Sequence, residues 1–247
     1  MSQTYPARYL ARMDTPARPR RFTVRRLIRW LFKAILGFVG LSILWVAIYR
    51  FVPPPVTFTM LANAIDGRGI DKRWMPLSRI DPDVARAAIG AEDARFCTHH
   101  GFDFTAIEQA IKHNERAKRI HGGSTISQQT AKNVFLWQGR SYVRKALEAW
   151  FTLLIETIWG KRRIMEMYLN VAETGIGTYG VDAGALRYFH HDASRMTPTE
   201  AARLVAVFPL PKVRGAVAPV GAVRRYGNRI AARIGTVQQG GYDRCVR

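Results

Sequence analysis

One long stretch of the chain carries no charge, and beyond it apolar residues return at helical spacing. From Ala34 to Tyr49 no residue is charged. Trp30, Leu31 and Phe32 extend the apolar run backwards past Lys33, whose stem can snorkel, and Phe51 and Val52 extend it forwards past Arg50. Leu27 to Val52 is therefore long enough to cross a hydrocarbon core of about 30 Å. The flanking arginines and the interface residues Trp30, Trp45 and Tyr49 favour a transmembrane helix over a buried core helix. A cleaved signal peptide fits poorly, because the basic region is long and Pro53-Pro54-Pro55 follows with no small-residue cleavage site.

Val56 to Arg79 has little periodicity and reads as a linker. The helical pattern then begins. Asp81 can cap, Pro82 suits the first helical position, and Val84, Ala87, Ala88 and Ala91 recur at i, i+3, i+4 and i+7. This helix delivers Glu92 and Asp93 to its C-terminal end, where the helix dipole is unfavourable to acids. Thr105 and Glu108 form a capping-box pattern before Ile107, Ala110 and Ile111. Lys112 to His121 is basic and polar and reads as a mobile loop or a fraying helix end. Gly122-Gly123 breaks the chain, Ser124 can cap, and Thr125 to Leu136 reads as a helix. A glycine pair before a helix start also suits the approach of an anion. Ser141 opens a long helix to Trp159, with Val143, Ala146, Leu147, Trp150 and Leu154 as the expected buried face and Gly160 as its stop. Arg144 and Lys145 lie four and three residues before Glu148, so the three can meet on its surface. A short helix follows over Lys161 to Asn170. Further helices are expected over Asp182 to Phe189 and from Thr197 to Phe208, the last stopped by Pro209 and Pro211. Residues 213–247 read as a basic, Gly-rich tail with one helix near 222–234. Strand signals are nearly absent, so the fold is expected to be mainly α.

Charge narrows the partners. The net charge is +20. Nine basic residues stand against Asp14 alone in the first 33. By the positive-inside rule, residues 1–26 are cytoplasmic and everything after Val52 lies across the membrane. The basic excess calls for an anionic partner, and this orientation argues against nucleic acid. Cys97 and Cys245 form no CxxC pattern, and free thiols are expected, with a disulfide as the lesser alternative. The six histidines show no i,i+4 zinc pairing, and no Ser-His-Asp or P-loop pattern is present. Gly175-Ile176-Gly177-Thr178-Tyr179-Gly180 matches GxGxxG literally, but it follows a helical pattern and reads as a turn.

Four blocks in order carry a resemblance. Glu92-Asp93-x-x-Phe96-x-x-His99-x-Gly101-x-Asp103 resembles the first motif of the glycosyltransferase domain of peptidoglycan polymerases, the domain found alone in monofunctional biosynthetic transglycosylases. Gly122-Gly123-Ser124-Thr125-Ile126-Ser127-Gln128-Gln129-x-Ala131-Lys132-Asn133 resembles the second. Arg144-Lys145-x-x-Glu148 is similar to the third, and Lys161-x-x-Ile164-x-Glu166-x-Tyr168-Leu169-Asn170 to the fourth. Order and spacing agree over roughly residues 55–212. The resemblance implies a lysozyme-like glycosyltransferase domain with a small membrane-proximal lobe, preceded by one N-terminal transmembrane helix. The expected division is a basic tail over 1–26, the span over 27–52, a linker over 53–79, the glycosyltransferase domain over 80–212, and a C-terminal tail over 213–247. A flexible flap is implied near Lys112 to His121.

The same resemblance implies a reaction and its residues. Lipid II and an undecaprenyl-diphosphate-linked glycan are the implied substrates, joined by inverting transfer to the GlcNAc 4-hydroxyl. Glu92 is the implied base, Glu148 the second glutamate, and Lys132, Arg140, Arg144 and Lys145 the phosphate-facing cations. Asp93, Ser124, Thr125, Gln128, Gln129 and Asn133 complete the implied substrate site. A divalent cation, Mg2+ or Mn2+, is implied by the family alone, with no metal-ligating residue assigned. Placement in the inner membrane with a periplasmic domain, and other cell-wall synthesis proteins as further partners, follow the same way. Met165 stands where Leu is usual in the fourth motif, and Thr174 where an aromatic is common. Two other readings remain open here: a glycan-cleaving lysozyme-like enzyme, and a non-catalytic membrane-anchored binder of anionic lipid.

Overall fold

The computed structural model describes residues 24–116 and 122–247. These fall into two units divided between Leu41 and Ser42. The first is described only as the beginning of helix α1 (Val24–Phe51). The 28 residues of α1 make a rod about 42 Å long at 1.5 Å per residue. Within the first unit Leu27, Ile28, Trp30, Leu31, Phe32, Ile35 and Leu36 are all exposed, which suits lipid as their solvent.

The second unit begins with the last turns of α1. Trp150 donates its indole N–H to Ser42 Oγ (3.1 Å) and Trp159 donates to Val46 O (2.7 Å). Trp45 packs edge-on to Phe135 and Phe151, which stack on each other at 4.6 Å. The stretch expected as a linker is built into the domain. It holds α2 (Phe58–Ile65), capped by Thr57, and strand β1 (Asp71–Lys72). Two polar side chains from later in the chain hold the segment that follows. Asn170, fully buried, accepts from Met75 N and donates to Met75 O, while Glu166 accepts from Leu77 N. Backbone groups buried there would be costly without those partners, so periodicity had nothing to report.

Helix α3 (Pro82–Glu92) starts on Asp81 and ends with Asp93 as its C-cap. Helix α4 (Phe104–Arg116) is capped by Asp103, whose Oδ1 accepts from Ala106 N at 3.0 Å; the expected Thr105 cap lies inside the helix. The Lys112 to His121 stretch is helical as far as Arg116, and its remainder lies outside the described residues. Helix α5 (Ile126–Phe135) is capped by Thr125 in a reciprocal box with Gln128, one residue after the expected Ser124. Helix α6 (Tyr142–Ile158) is capped by Ser141 as expected. Its buried face differs: Arg144, Glu148, Phe151, Thr152 and Ile155 point inward, whereas Val143 is 68% exposed. Leu147, Trp150 and Leu154 of the expected face are half-buried against the core; α6 has apolar residues on two sides, one meeting α5 and one meeting the end of α1 through Trp150, so the pattern finds only part of what is covered.

Helix α7 (Lys161–Val171) leads into strands β2 (Glu173–Gly175) and β3 (Thr178–Tyr179). They form a three-stranded sheet in the order β1-β3-β2, with β1 parallel and β2 antiparallel to β3. The GxGxxG stretch, expected as a turn, takes in the end of β2, the Ile176-Gly177 turn and β3. Gly177 has φ +66°, and a Cβ there would stand 2.2 Å from Arg68 O, so only glycine fits. Helix α8 (Val181–Phe189), a single 3-10 turn and α9 (Pro198–Val205) follow, α9 carrying the Thr197–Glu200 capping box.

The expected C-terminal tail is also structural. Helix α10 (Gly221–Gln239) buries Gly227, Ile230, Ile234 and Val237 and packs on α3 and α9. Beyond it Cys245 is disulfide-bonded to Cys97, across 148 residues of sequence, with Cα atoms 5.5 Å apart. This corrects the expectation of free thiols; no spacing rule links two lone cysteines that only tertiary packing brings together. Asp243 is buried beside the bridge between Arg86 and Arg247.

Candidate active site

The site forms where the C-terminus of α3 meets the N-terminus of α5. Asp93 is 7% exposed, and its carboxylate is fully engaged. Its Oδ2 accepts from Ile126 N, in the first turn of α5, at 3.0 Å, and from His99 Nε2 at 2.9 Å. His99 Nδ1 accepts from Gly101 N, which assigns the ring proton to Nε2 and makes it the donor. An acid at a helix C-terminus is thus also an acid at a helix N-terminus, where the dipole favours it.

Glu92, the neighbouring carboxylate, has different partners. Gln129 Nε2 donates to its Oε2 at 3.0 Å, and the Tyr226 hydroxyl stands 3.4 Å from its Oε1. Glu92 lines a cavity of about 500 Å³ with Arg95, Gln109, His113, Ser124 and Thr125. Gln129 lines a second of about 390 Å³ with Lys132, Asn133, Tyr168, Glu173 and Lys212. The Glu92–Gln129 bond joins the two.

Cations gather on α5 and α6. Arg144 NH1 donates to Glu148 Oε2 at 2.7 Å, and Lys145 takes the other oxygen. Both Arg144 and Glu148 are buried. The Arg144 Nε has no hydrogen-bond partner among the described residues although it is buried. Arg140, Arg144 and Lys145 line a further open cavity with Ser141 and Tyr142. Lys132 forms no ion pair among the described residues. Burial pushes its pKa below the ordinary lysine value; Glu148 pulls it back up, and Arg144 and Lys145 push it down again. Glu92 also pulls it up, the weakest of these influences.

The expected site residues divide accordingly. Glu92, Asp93, Ser124 and Thr125 line the first cavity and Gln129, Lys132 and Asn133 the second. Gln128 is turned inward and spent on the capping box, with its Oε1 accepting from Thr125 N. Three groups lay outside the sequence reading of the site. Tyr226 sits in a segment without any motif. Glu173 and Lys212 converge on Asn63 of α2, and burial pushes the Glu173 carboxyl up. Tyr168 stands in the fourth motif, and its fully buried hydroxyl has no hydrogen-bond partner among the described residues. Burial, and then the charge of Glu92, hold the Tyr168 hydroxyl well above its ordinary value.

A divalent cation finds no fitting donor set here. Both Glu148 oxygens are already taken by cations, and among the described residues no three His, Cys, Asp or Glu side chains converge.

Comparison with known proteins shows the family. The family model described as Transglycosylase matches residues 59–234. A biosynthetic peptidoglycan transglycosylase of Caulobacter vibrioides is 51% identical over 224 residues, covering 90% of this chain and 98% of that protein. One from Xanthomonas campestris is 48% identical over 219 residues, covering 86% and 89%. One from Pseudomonas aeruginosa is 46% identical over 230 residues, covering 91% and 98%. With a family match that takes in α2 through most of α10 and relatives 46–51% identical over most of the chain, this chain belongs to the transglycosylase family, and its mainly helical domain is lysozyme-like.

Proposed function

We propose that the chain is a peptidoglycan glycosyltransferase that polymerises lipid II into linear glycan strands. The GlcNAc 4-hydroxyl oxygen of lipid II attacks C1 of the MurNAc at the end of the growing chain. The C1–O bond to undecaprenyl diphosphate breaks, the new β-glycosidic bond forms, and the proton goes to Glu92. A base for this step must reach the hydroxyl while its own lone pair is free. The difference between the two glutamates carries the assignment: Glu92 faces a cavity with neutral donors around it, whereas Glu148 is buried with both oxygens in ion pairs. Glu148 then serves to hold Arg144 and Lys145 in place. Lys132, Arg140, Arg144 and Lys145 stabilise the charge that builds on the diphosphate as it leaves. Ser124, Gln129 and Asn133 contact the sugars. No step is routed through a metal ion.

A glycan-cleaving enzyme of the same fold would need one carboxylic acid and no cluster of cations, so the cluster favours transfer from a diphosphate. A lipid-binding protein without activity would need only the basic N-terminus. Residues 1–26 are placed in the cytoplasm and the catalytic domain in the periplasm, with α1 anchoring the chain in the inner membrane; the apolar α1 and its basic flank support this. Cell-wall synthesis proteins are natural further partners, and nucleic acid is not one. Incubation of the purified protein with labelled lipid II tests the reading. Glycan polymer is expected, and lipid binding without polymer, or cleavage of preformed glycan, would overturn it.

A further inference from the structure

Tyr226 lies in the second turn of α10, outside all four motifs. Its hydroxyl is 3.4 Å from Glu92 Oε1, while Gln129 Nε2 is 3.0 Å from Oε2. Each oxygen of the carboxylate therefore has one neutral donor, one from α5 and one from α10. A carboxylate with one donor can still swing about its own bonds; with two, its plane is set. Apo contacts of this kind are often long and tighten when substrate binds.

The placement of α10 is itself closely fixed. Arg233 NH1 donates to Gly90 O at 2.8 Å, one of the last carbonyls of α3. A Cβ on Gly90 would stand 3.1 Å from Arg233 Cβ and 3.5 Å from Val237 Cγ2, so α10 rests directly on the turn that ends in Glu92. Arg214 and Arg229 lie over the Tyr226 ring, 5.5 and 5.7 Å from its centroid. Burial, then the charge of Glu92, push the Tyr226 hydroxyl up to about 12. It stays protonated at every working pH and has a hydrogen to give.

We propose that Tyr226 is a positioning residue for Glu92: it donates its O–H to Oε1 and, with Gln129, aims the other lone pairs of the carboxylate at the acceptor hydroxyl. This rests on Glu92 being the base. A neutral donor suits the task, because a cation in the same place would draw basicity from the group far more strongly.

Tyr226→Phe keeps the ring and removes the donor. With the full-length protein and fluorescent lipid II, kcat is expected to fall about five- to tenfold, the scale of one ordinary hydrogen bond, as suits a contact of 3.4 Å, with KM within about twofold. Tyr226→Met, matched in bulk and also without a donor, should give the same split, and thermal melts confirm folding of each variant. In a Glu92→Gln background, Tyr226→Phe should cost less than about twofold more, because the two act as one unit. Unchanged kcat, a rise in KM alone, or the full loss persisting in the Glu92→Gln background would each overturn the proposal. Failure of the Glu92 assignment looks different: Glu92→Gln by itself would then polymerise at a near-normal rate.

Discussion

The end of α3 and the first half of α6 each carry a glutamate of the proposed site, and they treat it in opposite ways. At the end of α3 the protein spends its strongest interactions on Asp93 and leaves Glu92 beside a cavity, with an amide and a phenol as partners. On α6 it buries Glu148 between Arg144 and Lys145. A carboxylate held by neutral donors at a cavity edge can exchange a proton with a substrate. One held by two cations is a structural counter-ion. The partners, more than the residue type, divide the work.

The sharpest way to break that comparison is to neutralise each glutamate. Glu148→Gln leaves Arg144 buried without its counter-charge, and stability should fall by about 3–5 kcal/mol in thermal or denaturant melts. A melt unchanged from wild type would make the α6 triad a solvated surface feature. Glu92→Gln should fold and melt normally, bind a lipid-linked substrate or analogue, and lose about two orders of magnitude or more in polymerisation rate. Near-normal turnover would move the base assignment to Glu148. Lys145→Ala should lower turnover about tenfold or more with little change in stability, and Arg144→Lys should also hurt if a bidentate phosphate contact is used. Losses under about threefold, or less than about 1 kcal/mol, would reduce the cluster to a charged face. Asp93→Asn should cost about 1–2 kcal/mol of stability, through weakened bonds to Ile126 N and His99, and less activity than Glu92→Gln. The smallest effect concerns pH. Lys132 must be charged to hold a diphosphate and its pKa lies below the usual lysine value, so activity should fall on the alkaline side as it deprotonates. Lys132→Arg should carry that alkaline limb to higher pH, and an unmoved limb would assign it to another group.

Much of this site was legible because the motifs state chemistry at fixed spacing. Glu92, Gln129, Lys132 and the Arg144-Lys145-Glu148 triad could be named from the resemblance that the four motifs carry, and the structure sets Glu92, Gln129 and Lys132 on joined cavities and Arg144 and Lys145 on a neighbouring cation patch. What stayed hidden depends on contacts between distant segments. Asn63, Tyr226 and the Cys97–Cys245 pair have no local pattern, and each is defined by a partner more than 100 residues away. Every α-helix among the described residues except α2 follows from the apolar pattern, and on α6 the pattern yields Leu147, Trp150 and Leu154 but not Arg144 and Glu148, because a helix covered on two sides has no single apolar stripe. The capping positions of α4 and α5 missed by two residues and one, since Ser, Thr and Asp compete for the role and only backbone geometry decides.

The cysteine bridge ties the turn after Glu92 to the segment that follows α10. During synthesis the first of these emerges long before the second, so the catalytic turn is made early and fastened late. On the topology proposed above, the fastening chemistry also differs by compartment: reducing where the chain is translated, oxidising where the domain ends up. The last covalent step in building this enzyme would then occur only after export, on the side of the membrane where the glycan strand is assembled.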